Sequence, residues 1–178
     1  MRFAPTAIEG AFAVELELHQ DERGAFARTY CDDEFAAAGI PMRIVQTSLS
    51  RNAKAGTLRG MHYQAPSHQE AKLVQCVRGR IFDVAIDLRP SSPTFRRAQA
   101  FELAADGGRL FFIPAGCAHG FLTLEDASDV VYGMDTAFVP NVGLGVRWND
   151  PAFGVDWPMA PRVISSRDAS YPDFQDLA

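Results

Sequence analysis

Ten short runs rich in β-branched and aromatic residues, separated by turn clusters, constrain this chain more than any other feature. They cover residues 13–18, 43–50, 57–64, 72–77, 81–88, 99–103, 109–113, 119–123, 129–134 and 145–148. Arg78-Gly79, the stretch from Pro90 to Pro93, Asp106-Gly107-Gly108 and Pro114 to Gly116 punctuate them. Glycine and proline supply the backbone angles of tight turns and sit poorly inside strands. Many short strands at this spacing predict an all-β sandwich or barrel. One helix is expected: Asp32 or Asp33 can cap it, residues 34–38 favour it, and Gly39 with Pro41 ends it.

A chain of 178 residues is one domain's length. It reads as a single domain over 1–178, with a core from about residue 3 to about residue 170 and a frayed tail over 171–178. The net charge of -5 argues against non-specific nucleic-acid binding, which needs basic surface. No stretch approaches the roughly 18 apolar residues of a membrane span, and Glu9 and Glu15 interrupt any apolar leader. The expectation is a soluble, cytoplasmic protein with no membrane partner. Cys31, Cys76 and Cys117 form neither a disulfide framework nor a zinc pattern. Cys76, inside an apolar run, is expected to be a buried thiol.

Residues 79–88 alternate. Phe82, Val84, Ile86 and Leu88 share the face expected to be core, and Asp83 and Asp87 share the other, expected to be solvated or structural. In Arg59-Gly60-Met61-His62-Tyr63-Gln64, strict alternation sets His62 and Arg59 on opposite faces. For both to serve one site the strand must be irregular, and Gly60 is where irregularity costs least. His62 is either a satisfied core histidine or a base.

Lys72 shares a face with Val74 and Cys76, so it either snorkels out from the strand's start or meets an anion inside. Tyr132, among Val130 and Val131, is an aromatic wall residue or a polar group inside the barrel. His119 follows the Pro114 to Gly116 turn between small neighbours and is expected to be accessible. The four histidines His19, His62, His68 and His119 display no complete metal-ligand set on one face.

These motifs together resemble the dTDP-4-dehydrorhamnose 3,5-epimerase family. Arg59 to Gln64, Lys72-Leu73-Val74, Phe82 to Arg89, Ser92-Pro93-Thr94, Ile113 to Phe121 and Trp148-Asn149-Asp150-Pro151 carry the resemblance, with Asp21 to Gly24 and Ser166-Arg167-Asp168 near the ends. It covers nearly the whole chain. It implies a cupin-like jelly roll with one or two short helices, no cofactor and no metal. It implies a homodimer that exchanges N-terminal strands, and a nucleoside-diphosphate 4-keto-6-deoxy sugar as substrate. Residue by residue, it implies His62 as base, Asp168 as its orienting aspartate, Tyr132 as acid and Lys72 as the enolate-stabilising lysine. Arg23, Arg59 and His119 match the diphosphate contacts, with Arg23 serving the partner's site.

The chemistry agrees with the resemblance. A ketone at C4 acidifies the hydrogens at C3 and C5, so a base near neutrality suffices, and the ketone itself is the electron sink. Inversion needs an acid on the face opposite the base.

Departures from the family pattern cluster where it holds the nucleotide. The Phe-x-Glu motif is Phe26-Ala27-Arg28, and Gln-Asp-Asn is Gln46-Thr47-Ser48. The ring that stacks on thymine is matched by Phe138, a loop glutamate by Gly143 and a lysine by Arg167. The expectation is retained proton chemistry with a carrier nucleotide other than dTDP, or a base that is read differently. Whether C3, C5 or both invert stays open. Two rival readings remain: a metal-dependent cupin oxygenase or isomerase, and a non-catalytic sugar-nucleotide binding module.

Overall fold

The computed structural model describes residues 1–174. The strands are β1 (Arg2–Pro5), β2 (Phe12–Glu15), β3 (His19–Asp21), β4 (Gly24–Phe26), β5 (Gln46–Asn52), β6 (Thr57–Gln64), β7 (Lys72–Arg78), β8 (Arg80–Asp87), β9 (Ala98–Ala104), β10 (Arg109–Ile113), β11 (Cys117–Thr123), β12 (Ser128–Met134), β13 (Gly143–Gly145) and β14 (Val163–Ile164). The helices are α1 (Asp32–Ala37) and α2 (Ser166–Ala169). One sheet runs β1-β2-β10-β7-β12-β5, and the second runs β13-β6-β11-β8-β9. From β5 to β13 consecutive strands alternate between the two sheets, except for the β8–β9 pair. That alternation makes the fold a jelly roll, as expected. All pairings are antiparallel save β14, which lies parallel to the start of β6.

Three apolar clusters layer the molecule. Val74, Cys76, Ile81, Ala85, Phe111, Phe121 and Val130 fill the space between the sheets. Phe35 of α1 packs with Val14, Leu73 and Phe112 outside the first sheet. Met61, Val84, Ile86, Val146 and Phe153 pack outside the second sheet, under Trp148 and Trp157. Each fully buried large side chain contributes roughly 1.5–3 kcal/mol.

The second outer layer corrects the reading of residues 79–88. Val84 and Ile86 do pack, but on the outside of the roll. Asp83 and Asp87 share the inner face with Ile81 and Ala85, and both are fully buried. Alternation separates two faces but cannot say which is inside when both are covered.

Other boundaries also move. α1 is flanked by Cys31, with no side-chain cap, so neither Asp32 nor Asp33 caps it. Both, with Glu34, lie in its first turn, where the helix dipole favours negative charge. The expected strand over 145–148 is replaced by β13, which starts two residues earlier and ends three earlier, while Val146 keeps a backbone exchange with Met61. The tail is docked as far as it is described. Arg147 N–H donates to Pro172 O at 3.2 Å, and the Phe174 ring packs 5.4 Å from Phe153. Residues 175–178 of the expected tail lie outside the described residues. No helix among the described residues is long and apolar enough to cross a membrane.

Candidate active site

At one end of the space between the sheets the apolar filling gives way to a cavity of about 310 Å³. Ser48 and Ser50 of β5, Arg59 and His62 of β6, Lys72 of β7, His119 of β11 and Tyr132 of β12 line it, with Glu70 just ahead of β7. His62 and Arg59 do reach the same cavity, and the strand is irregular where expected. Against β11, His62 pairs with His119 while Arg59 pairs with Phe121, so one residue is absorbed at Gly60. Gly60 has φ 143°, and a Cβ there would lie 2.6 Å from the Gly120 Cα. Only glycine fits both conditions.

His62 is half exposed toward the cavity, and Asp168 stands behind it, 5% exposed. The His62 Nε2 lies 2.8 Å from Asp168 Oδ1. Asp168 Oδ2 accepts from the Gly60 N–H at 3.2 Å. A carboxylate only accepts, so Nε2 carries the proton and the Nδ1 lone pair is left for another partner. Burial alone would raise the Asp168 carboxyl, but the His62 bond and charge, with the Gly60 N–H, hold it below its ordinary value. The carboxylate arrives because β14 pairs with β6, which leads directly into α2. There Ser165 caps the helix by accepting from the Asp168 N–H at 3.0 Å.

His119 carries a second carboxylate partner. Its Nε2 lies 2.7 Å from Asp83 Oδ1, and Asp83 Oδ2 has no partner among the described residues. His119 is 5% exposed, which corrects the expectation of an accessible turn histidine: it is the third residue of β11 and is covered on both sides. Its ring meets Tyr132 edge-on, with centroids 5.8 Å apart.

Tyr132 projects from the sheet facing His62. Burial pushes its phenol above the ordinary range and the Asp83 charge adds to this, while Ser50 and Arg59 pull the other way. It therefore holds its proton at neutral pH. Lys72 points inward, as the sequence suggested, and meets an anion there: Nζ lies 3.2 Å from a Glu70 oxygen. Arg59 is held by its Nε donating to Asn52 Oδ1 at 2.8 Å.

The remaining predicted residues divide into two groups. Gln46 begins β5, two residues before Ser48, and its Oε1 accepts from the Phe138 N–H at 2.9 Å. The Phe138 ring is 67% exposed. Gly143 pairs with Gln64, and its carbonyl accepts from Arg167 at 3.0 Å. None of these four lines the cavity. Arg23, Phe26 and Arg28 lie elsewhere. Arg23 turns back on its own Asp21 within the β3–β4 hairpin, and Arg28 pairs with Glu34 at 2.7 Å. Phe26 is 74% exposed.

The sequence reading missed Glu70, Ser50 and the buried Asp83. Ser50 was legible, since it alternates with Gln46 and Ser48. Glu70 was legible as the i−2 neighbour of Lys72. Among the described residues, no group of three or more His, Cys, Asp or Glu side chains converges as a metal site.

The pattern of one family, dTDP-4-dehydrorhamnose 3,5-epimerase, matches residues 5–176. The chain is 39% identical over 178 residues to the dTDP-4-dehydrorhamnose 3,5-epimerase of Methanothermobacter thermautotrophicus, covering 98% of this chain and 95% of that one. It superposes with a TM-score of 0.93 on the crystal structure of the Bacillus anthracis enzyme of that name with TDP and PPi bound, at 35% identity, covering 97% and 99% of the two chains. A 3'-monoepimerase from Streptomyces bikiniensis in complex with dTDP-quinovose gives a TM-score of 0.87 at 32% identity, covering 95% and 86%.

Proposed function

The chain belongs to the dTDP-4-dehydrorhamnose 3,5-epimerase family, and from that premise we propose that it is an isomerase that inverts carbons beside the ketone of a nucleoside-diphosphate 4-keto-6-deoxy sugar. One observation carries the reading. The imidazole of His62 and the phenol of Tyr132 enter one cavity from facing sheets, with the Lys72 ammonium in the same cavity.

The His62 Nδ1 lone pair takes the proton from the carbon next to the ketone. The C–H electron pair moves into the C–C bond and charge collects on the C4 oxygen, where Lys72 stabilises it. Asp168 fixes the imidazole's tautomer and stabilises the imidazolium that forms. Tyr132 returns a proton to the opposite face of the planar enolate. Solvent then reprotonates the phenolate and takes the proton from the imidazolium, so no net oxidation occurs. Arg59 holds the diphosphate through charge-assisted bonds, and His119, which the resemblance matches to a diphosphate contact, lies in the same cavity.

A second subunit completes the nucleotide site. The β3–β4 hairpin is exposed throughout, and Arg23 and Phe26 do not line their own chain's cavity. In a homodimer with exchanged N-terminal strands, they cover the partner's cavity. Phe138 stacks on the base, and with Arg28 bound to Glu34 the base edge is read differently from the family pattern.

Incubation with a 4-keto-6-deoxy nucleotide sugar in D2O tests the reaction: deuterium enters at C3, C5 or both, and His62→Ala abolishes it while the protein stays folded. A folded wild-type protein that exchanges neither position rejects the reading. Competition among dTDP, CDP, GDP and UDP tests the nucleotide, and a clear preference for dTDP removes that part.

A further inference from the structure

We propose that Glu70 is a positioning residue for Lys72, holding its ammonium on the C4 oxygen of the substrate; the inference rests on the epimerase reading above. Glu70 is the one carboxylate among the described residues lining the cavity, alongside Arg59 and Lys72. Its oxygen lies 3.2 Å from Lys72 Nζ, and the two side chains are only 12% and 13% exposed.

The pair is set by the backbone between its members. Ala71 N–H donates to Asp135 Oδ1 at 2.8 Å, and Ala71 O accepts from the Asp135 N–H at 3.4 Å. Ala71 itself is buried against the layer under α1. With the middle residue clamped outward, its two neighbours project together into the cavity. From β6, Gln64 Nε2 donates to the same Glu70 oxygen at 3.4 Å. Gln64 lies two residues beyond His62, so the base and the lysine's partner are tied to one strand.

The physical need is plain. A lysine is a point charge on a flexible four-carbon stem with three donors. Without a partner the ammonium sweeps many rotamers and drifts from Arg59, the other cation lining the cavity. Glu70 takes one donor and leaves two for the substrate. A sheltered pair that loses one member leaves an uncompensated charge and an unfixed geometry. Stabilisation of charge that develops only in the transition state depends on such preorganisation, so its loss appears in kcat rather than KM.

The test measures deuterium incorporation and product formation at saturating nucleotide sugar. Glu70→Ala is expected to lower kcat roughly 10- to 100-fold with KM within about threefold. Glu70→Gln keeps an acceptor and recovers most of the loss. Lys72→Ala with Glu70→Ala is no slower than Lys72→Ala alone, because the two act as one unit. Glu70→Asp withdraws the carboxylate by one methylene without removing charge, and lowers kcat roughly tenfold even if Glu70→Ala does not fold. An active wild type with unchanged kcat in Glu70→Asp or Glu70→Ala, or strictly additive losses with Lys72→Ala, overturns the assignment to Glu70 alone. An inactive wild type overturns both readings.

Discussion

His62 and Asp168 stand 106 positions apart in the chain and meet at 2.8 Å. The contact fixes which imidazole nitrogen faces the cavity. Asp168→Asn replaces an obligate acceptor by an amide that can also donate, and so frees the wrong tautomer. Its kcat is expected to fall roughly 1,000-fold or more, with the melting transition retained. Steady-state kinetics beside a thermal melt check this, and a fall below tenfold contradicts it.

His62, Lys72 and Tyr132 interrupt apolar strand patterns where a polar group is costly, so the sequence marked them as candidates for the cavity they line, while their separate roles came from the resemblance alone. Asp168 had no local signal as a site residue. Only Ser165 three positions earlier marked a helix start. The central strands were legible because they are short apolar, β-branched and aromatic runs bounded by turn clusters; β6 and β10 run over the expected residues. The strands β1, β3, β4 and β14 escaped because they are mostly exposed and show no alternation. The inward face of Asp83 escaped for the opposite reason, since both faces of β8 are covered.

Gly145 is paired with His62 across β13 and β6, and the Tyr171 ring occupies the space where its side chain would be. That ring meets the His62 imidazole edge-on at 6.0 Å. Gly145→Val is expected to destabilise the protein by about 1–3 kcal/mol through overpacking. Adding Tyr171→Ala should restore part of the loss. Denaturant midpoints of the three proteins decide it, and a Gly145→Val protein as stable as wild type contradicts the packing.

Asp87 sets an acid limit on stability. Burial would raise its carboxyl, but bonds from Arg89, Ser92 and Thr94 bring it down to about 2, from 3.8. A lowered carboxyl contributes stability above its unfolded value and loses it as pH falls through the folded one. The shift corresponds to about 2 kcal/mol, present above about pH 4 and gone near pH 2. Unfolding free energies between pH 5 and pH 2 should fall by that much more in wild type than in Asp87→Asn. Equal slopes contradict the account.

Exchange of the β3–β4 hairpin, as proposed above, predicts complementation between subunits. Arg23→Ala and His62→Ala homodimers are each expected to be nearly inactive. Unfolded together and refolded, half of the chains assemble as hybrids that contain one intact site. Recovery of about a quarter of wild-type activity in the mixture checks this, from random pairing of independent sites. No recovery contradicts the exchange.

The central claim is that one substrate carbon is approached from two sides, by an imidazole from one sheet and a phenol from the other. Tyr132→Phe in D2O separates the two roles. The account predicts that deuterium still enters beside the ketone through His62, while the inverted sugar falls at least roughly 100-fold because the proton returns from the side it left. Inversion at the wild-type rate in Tyr132→Phe, or loss of exchange and inversion together in a folded protein, contradicts it.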